Sequence, residues 1–340
     1  MAFAHTRNVE YLACGLEVDV LNFSAASDYV IDGIRVITMD TYLKEQSDYY
    51  YLVCHAANIR NHYKFIKKYA SRFRKIIFFF HGHEVLSVND IYPKDYPYVH
   101  TNKVKKTLRT AYDRVKCRIW KNYFTKTGDD FHCVFVSHWM YNEFMKWVGA
   151  DLKGRYSIIY NIVSPVFIEN RYDADSEKEY DYISIRSNLD GAKYCVDLVN
   201  KLAFMNPEKS FLLFGRGEYF DHNEKADNLI WENRTLNHSE VVKVLNKSRC
   251  ALMPTRTDAQ GVMACEFATF GIPMITSDID VCHEVFEDFA NVGFIRNDLK
   301  DADLDAVYAT LKVTPEEVNG KYSLDETVMK EIELYKRFYK

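Results

Sequence analysis

No run of this 340-residue chain approaches the length of a membrane-spanning helix, and its first residues lack the charged start and apolar core of a secretory signal. No low-complexity tract or internal repeat is visible. The eight cysteines (Cys14, Cys54, Cys117, Cys133, Cys195, Cys250, Cys265 and Cys282) include no Cys-x-x-Cys pair, which argues against a zinc site or a disulfide framework. Several lie in apolar runs, as core thiols of a reducing compartment do. The chain is therefore expected in the cytoplasm. What is present is ordinary globular composition, 48% apolar, and enough length for two domains.

Charge divides unevenly. Residues 1–160 hold 23 Lys+Arg against 16 Asp+Glu, a net +7, whereas the remainder nets −11. An anionic partner is expected to meet the first half alone. The basic residues concentrate in 102–126, with nine cations and one acid, Asp113. Trp120, Tyr123 and Phe124 are interleaved near its end. Two readings stand side by side: a solvated helical face, or a segment resting on anionic lipid with its aromatics among the headgroups. No recognition motif accompanies the charge, so nucleic acid is not expected.

Strand-like runs alternate with helix-like ones throughout. Residues 1–16 read as a helix, Glu17–Phe23 as a strand, then strands at Ile34–Thr38, Tyr50–Cys54 and Lys75–His81. A helix is expected over Ile59–Phe73, and a strand and helix over Cys133–Ser137 and His138–Val148. After Ile158–Tyr160 and a charged linker the alternation restarts. Strands follow at Asp181–Arg186, Ser210–Phe214, Asn228–Glu232 and Val292–Arg296, with helices over Gly191–Phe204, His238–Asn246, Ala302–Leu311 and Leu324–Tyr339. This grammar predicts two parallel sheets covered on both faces.

The most informative stretch is Thr255–Asp278, TRTDAQGVMACEFATFGIPMITSD. An apolar strand-like run, Cys250–Pro254, leads to a polar loop with Asp258 and Gly261. A helix then carries Val262, Cys265, Phe267 and Phe270 to Gly271-Ile272-Pro273, and Met274–Thr276 is strand-like again. Amides at such a helix start accept anions. Asp258 in the loop and Glu266 a turn inside the helix would flank them. A sugar nucleotide suits that arrangement, its phosphates meeting the amides and its hydroxyls the carboxylates.

Asp258, seven residues, then Glu266 resembles the E-x7-E signature of retaining glycosyltransferases of family 4, which have the GT-B fold. The whole stretch is similar to that family's "EGFGLPxLEAMAxGxPVIxSD", with Asp258 standing where Glu is usual. The resemblance implies two Rossmann-like domains facing a cleft, over 1–163 and 164–322, with a last helix (323–340) crossing back to the first domain. Family members begin one strand earlier than this chain, which starts directly at its first helix, and of their "NGVD" junction Asn161 is matched. Arg186-Ser-Asn-Leu-Asp-Gly-Ala-Lys193 looks like their "GRLxPEKG", two residues longer and with Ser184-Ile185 for Val-Gly.

By that resemblance Arg186 and Lys193 would face the leaving diphosphate, and Asp258 the donor sugar. Glu266 would hold the ribose, while Gln260, Gly261 and Val262 would offer backbone amides. Gly215 and Gly217 would pass near the base. His81, in His81-Gly82-His83, would meet donor or acceptor, with His83 the other choice. Asp278-Ile279-Asp280 is formally a D-x-D manganese motif, but it falls in the family's "SDxxxxxE" stretch and reads as a helix-capping segment, so no metal and no cofactor are expected.

The implied activity is metal-independent, retaining transfer of a sugar from a nucleotide diphosphate to a glycan or lipid-linked acceptor, as in surface polysaccharide synthesis. A non-catalytic partner subunit and a sugar-nucleotide epimerase of the same fold are the alternatives.

Overall fold

A computed structural model of the chain describes residues 2–100, 102–313 and 319–339. The chain divides into two compact units: Met1–Leu86, Asp113–Ile162 and Lys321–Lys340 form the first, and Ser87–Tyr112 and Val163–Gly320 the second.

The first unit opens with helix α1 (Ala2–Ala13), followed by β1 (Asp19–Leu21), β2 (Tyr29–Ile31), β3 (Ile34–Ile37), α2 (Met39–Glu45), β4 (Tyr51–His55), α3 (His62–Tyr69) and β5 (Lys75–Phe80). Two helices follow, α4 (Val88–Ile91) in the second unit and α5 (Lys103–Lys126), in which the division between units falls. β6 (Phe131–Phe135), α6 (His138–Trp147) and β7 (Tyr156–Ile158) complete the run. A single parallel sheet is not what forms. β4-β5-β6-β7 is parallel, but β1-β3-β2 is a separate sheet, with β2 antiparallel to β3. Asp32 and Gly33, both at positive φ (48° and 79°), make the two-residue turn of that hairpin.

β5 is buried on both faces, which is why it reads as an unbroken apolar run. Phe78 packs edge-on against Trp120, Tyr123 and Phe124, and Phe80 meets Phe124 edge-on, stacks on Phe135 and lies tilted against Phe144. Trp120 and Phe124 are fully buried and Tyr123 packs on Phe78, so these three aromatics belong to the core rather than to a headgroup layer. The last helix, α14 (Val328–Tyr339), returns to this unit, as the resemblance implies. Its Ile332 and Tyr335 share a cluster with Tyr11, Ile77, Phe79, Ile159 and Ile162.

The second unit continues with α7 (Val166–Glu169), β8 (Tyr180–Asn188), α8 (Val196–Met205), β9 (Phe211–Arg216), α9 (Tyr219–His222), β10 (Leu229–Glu232) and α10 (His238–Asn246). β11 (Ser248–Met253), α11 (Val262–Phe270), β12 (Met274–Ser277), α12 (Asp280–Phe286), β13 (Val292–Ile295) and α13 (Leu304–Ala309) follow. Its six strands are all parallel, in the order β10-β9-β8-β11-β12-β13. The chain winds outward in one direction from β8 and in the other from β11. Ligands of such sheets collect beyond the strand ends at that reversal. Among the described residues no helix is long and apolar enough to cross a membrane.

Candidate nucleotide-sugar site

A cavity of about 190 Å³ opens where β8 and β11 end side by side. Arg186, Lys193, Asp258, Gln260, Gly261 and Val262 all line it, six of the ten side chains and backbone positions singled out above. Residues far apart in sequence meet here because the strand order reverses between these two strands.

Arg186 is buried near the end of β8, with Nη2 donating 2.6 Å to the carbonyl of Pro254 just past β11. Its Nε, also buried, has no hydrogen-bond partner among the described residues. Burial pulls its pKa down, against the field of Asp258 and its other neighbours. A guanidinium tolerates that without losing its charge. Burial also pulls on Lys193, but the field of Asp258 and the rings of Tyr194 and Tyr92 outweigh it and raise its pKa. Its Nζ lies 4.7 Å from the Tyr194 ring centre and 5.5 Å from that of Tyr92. Two cations thus stand on one wall.

The start of α11 lines the same cavity. Gly261, at φ 73° and ψ 61°, is the N-cap; it supplies the left-handed turn and brings no side chain to cap the helix. Val262, Met263 and Ala264, the first helical residues, line the cavity, and the amides of a first turn have no partner inside their own helix. Asp258 turns back on its own loop, accepting from the Ala259 amide at 2.8 Å. Gln260 Nε2 lies 3.7 Å from Cys265 Sγ on α11.

Glu266 does not line the cavity. It is buried further along α11 and accepts from the Ser164 amide at 3.4 Å, so it looks toward the chain that enters this unit. Burial, offset in part by that amide, raises its carboxyl to about 7. Between its ordinary range and 7 the folded state therefore binds the proton more tightly than the unfolded one. Stability from this group is present at low pH and is lost as pH rises through 7. We expect Glu266→Gln to remove a destabilisation on the order of 3 kcal/mol between about pH 5 and 8. Parallel melting curves of parent and variant across that range check this; parallel pH trends would refute it.

Gly215 and Gly217 follow the core of β9 at φ 153° and 156°. A Cβ on Gly215 would lie 2.6 Å from Leu189 Cδ2 and 2.7 Å from the Arg186 carbonyl, so this glycine lets β9 close on the Arg186–Asp190 loop. Neither glycine lines the cavity. His81, in the first unit, ends β5 with Nε2 3.2 Å from His55 Nδ1. Burial, then the fields of His55 and Arg7, hold its pKa well below the ordinary histidine value, so it is neutral. His83 is exposed, and its carbonyl accepts from buried Lys116 at 2.6 Å.

The expected helix over Gly191–Phe204 begins later. Ala192–Tyr194 is a single 3-10 turn, Cys195 is left-handed at φ 56°, and α8 starts at Val196. Lys193 consequently sits on a turn rather than on a helix N-terminus. Sequence reasoning missed what fixes that turn. The Lys193 carbonyl accepts from the Arg256 amide (3.0 Å) and the Thr255 hydroxyl (3.2 Å). The Arg256 guanidinium reaches Ala192 O at 2.6 Å and grips Asp197 through 2.6 and 2.9 Å bonds. From Ser87–Tyr112, Tyr96 donates to Asp197 (2.8 Å) and Tyr98 to Asp190 (2.7 Å). Nothing local in those tyrosines announces the contact.

Asp278-Ile279-Asp280 does not cap α12 through either carboxylate: the N-cap is Ile279, and Asp278 instead pairs with His283 Nε2 at 2.6 Å.

No family model matches the chain, and no curated protein sequence matches it. Solved structures do match in fold. Sucrose-phosphate synthase from Thermosynechococcus elongatus superposes with a TM-score of 0.70 at 11% identity, over 99% of this chain and 93% of that one. An α,α-trehalose-phosphate synthase from Burkholderia xenovorans, crystallised with glucose-6-phosphate, gives 0.60 at 10% identity, over 97% and 95%. WaaG, a glycosyltransferase of lipopolysaccharide biosynthesis, gives 0.53 at 13% identity, over 90% and 84%. The fold is that of the GT-B glycosyltransferases.

Proposed function

We propose that the chain is a glycosyltransferase that moves a sugar from a nucleotide diphosphate donor to a glycan or lipid-linked acceptor, with retention and without a metal, in the cytoplasm. The observation that carries this reading is the cavity itself. A buried arginine with an unanswered Nε and a lysine face the uncapped start of α11 at the reversal of a doubly wound sheet. Those groups suit a diphosphate on which negative charge grows as the anomeric bond breaks.

Arg186 and Lys193 take the leaving phosphates, with the amides of Gly261 and Val262 beside them. Asp258 accepts from hydroxyls of the donor sugar, and Glu266, beyond the cavity on the same helix, is assigned to the ribose diol. Because a diol donates best to an ionised carboxylate, nucleotide affinity should rise with pH through 7. Neutral His81 is assigned to the sugar's reacting face. The trehalose-phosphate synthase of the same fold is described as UDP-forming, which makes uridine donors the first to try.

The test is a thermal-shift screen of UDP-, GDP- and ADP-sugars, followed by mass spectrometry for hydrolysis or transfer in chelator. Stabilisation by one donor class, with turnover that survives chelator, is the expected result. No shift with any nucleotide sugar would overturn the reading, and turnover restored only by manganese would return Asp278 and Asp280 to consideration.

A further inference from the structure

The segment between α4 and α5 brings three tyrosines to the loop that carries Lys193. Tyr92 stands by the ammonium, its ring centre 5.5 Å from Nζ. Tyr96-Pro97-Tyr98-Val99 is a tight turn, closed by the Val99 amide on the Tyr96 carbonyl at 2.9 Å, with proline at the position such turns favour. The turn sets the Tyr96 and Tyr98 rings side by side, centroids 5.9 Å apart and 14° from parallel. Tyr219 meets Tyr96 edge-on at 5.0 Å, and His222 stacks on Tyr98 at 4.4 Å. All of these residues belong to the second unit.

Two acids bracket the loop, and each takes one of these hydroxyls. Asp190, before Lys193, accepts from Tyr98 at 2.7 Å and from the Glu218 amide at 2.9 and 3.2 Å. Gly217 makes room for it, since a Cβ there would lie 2.9 Å from Asp190 Oδ2. Asp197, after Lys193, accepts from Tyr96 at 2.8 Å on Oδ1, the oxygen that also takes Arg256 Nη1. The Asp197 amide, in the first turn of α8, lies 3.4 Å from the same tyrosine oxygen and donates to it.

The consequence runs through Arg256. Asp197 aligns its planar fork by two parallel bonds. With the fork fixed, Nη1 also reaches the Ala192 carbonyl, while the Arg256 amide holds that of Lys193. A lysine on its flexible four-carbon stem is aimed only as well as the turn beneath it is fixed. A shift of about 1 Å at a reacting centre can cost on the order of 10²-fold in rate. Neither Tyr96 nor Tyr98 lines the cavity. We propose that Tyr96 is a positioning residue: through Asp197 and Arg256, its hydroxyl holds the turn that presents Lys193 to the cavity. The effect on rate rests on the sugar-transfer reading, whereas the placement of Lys193 does not.

Tyr96→Phe keeps the ring on Tyr219 and removes only the hydroxyl, so the variant should melt with the parent. In the free protein, competitive acylation of lysines read by mass spectrometry should find Lys193 labelled at least ~3-fold faster in the variant, because its turn opens more often. The other lysines should label as in the parent. With the donor found by the thermal-shift screen, kcat should fall roughly 10-fold with little change in KM. In a Lys193→Ala background the same change should cost no further rate, since the group it positions is gone. Parental labelling of Lys193 would overturn the proposal whatever the activity. An equal fall in kcat in both backgrounds would overturn it as well, making Tyr96 a general brace of the unit. Were no donor to bind, the sugar-transfer reading would fall and the labelling alone would decide this one.

Discussion

Glu331→Ala should destabilise the first unit by about 3–5 kcal/mol, because it strands a cation in the core. Arg7 on α1 and Glu331 on α14 are both fully buried, with Arg7 Nε 2.8 Å from Glu331 Oε1. Arg7 also donates to Asn161 Oδ1 (2.7 Å) and the Tyr160 carbonyl (3.3 Å) at the exit of the first unit, and its guanidinium lies 5.0 Å from the Phe79 ring centre. Tyr11 donates to the second carboxylate oxygen and lies 2.8 Å from the Tyr335 hydroxyl. One ion pair thus joins the first helix, the domain exit and the returning last helix. The desolvation of two charges consumes most of their attraction, so the pair is a poor source of net stability but a costly thing to halve. Arg7→Met combined with Glu331→Leu should therefore regain most of the loss, with Tyr11 keeping Tyr335 as its partner. Urea unfolding of the singles and the double measures this. If the double variant is destabilised by the sum of the singles, the pair is a favourable interaction in its own right and the desolvation argument is wrong.

How much of this was legible in the sequence depends on whether the signal was local. α10 was read at its observed ends, His238 and Asn246, because its start is written into four residues. The Asn237 side chain takes the Glu240 amide at 3.0 Å, and Glu240 reaches back to the Asn237 amide at 2.8 Å. The loop and helix of Thr255–Asp278 were equally plain, since Gly261 and Gly271 bound the helix in left-handed conformations. Asp32-Gly33 was just as local and marks a hairpin, yet β2 went unread beside the stronger strand that follows it. The start of α8 was misplaced for a different reason. Arg256 and Asp197 decide where Lys193 sits, and they lie about sixty residues apart, beyond the reach of propensity. The same limit hid the Arg7–Glu331 pair. In 102–126 the charges and aromatics were visible, but composition does not say which side of a helix meets the core. Of the two readings open for 102–126, aromatics among headgroups fails for Trp120 and Phe124, which are fully buried, while Leu108 on the same helix is exposed.

Lys193→Ala is expected to lower turnover by about 10²–10³ while donor affinity falls much less. The lysine's charge is secured by Asp258 and by the rings of Tyr92 and Tyr194, so it is present throughout the neutral range. A ground-state donor already spreads its charge over two phosphates held by helix amides. The extra charge appears only as the anomeric bond breaks, and a group that answers it acts on kcat rather than on binding. Arg186 would give a less readable result, since its bond to the Pro254 carbonyl ties β8 to β11 and its loss would disturb both. Lys193 can be cut back with little such damage, because its turn is held through its backbone carbonyl by Thr255 and Arg256. Lys193→Arg should restore part of the rate, keeping the charge with a different reach. Initial rates of nucleoside diphosphate release, with the donor found by the thermal-shift screen, separate kcat from KM. A variant with raised KM and parental kcat would make Lys193 a binding residue alone and move the answer to the developing charge onto Arg186 and the amides of α11.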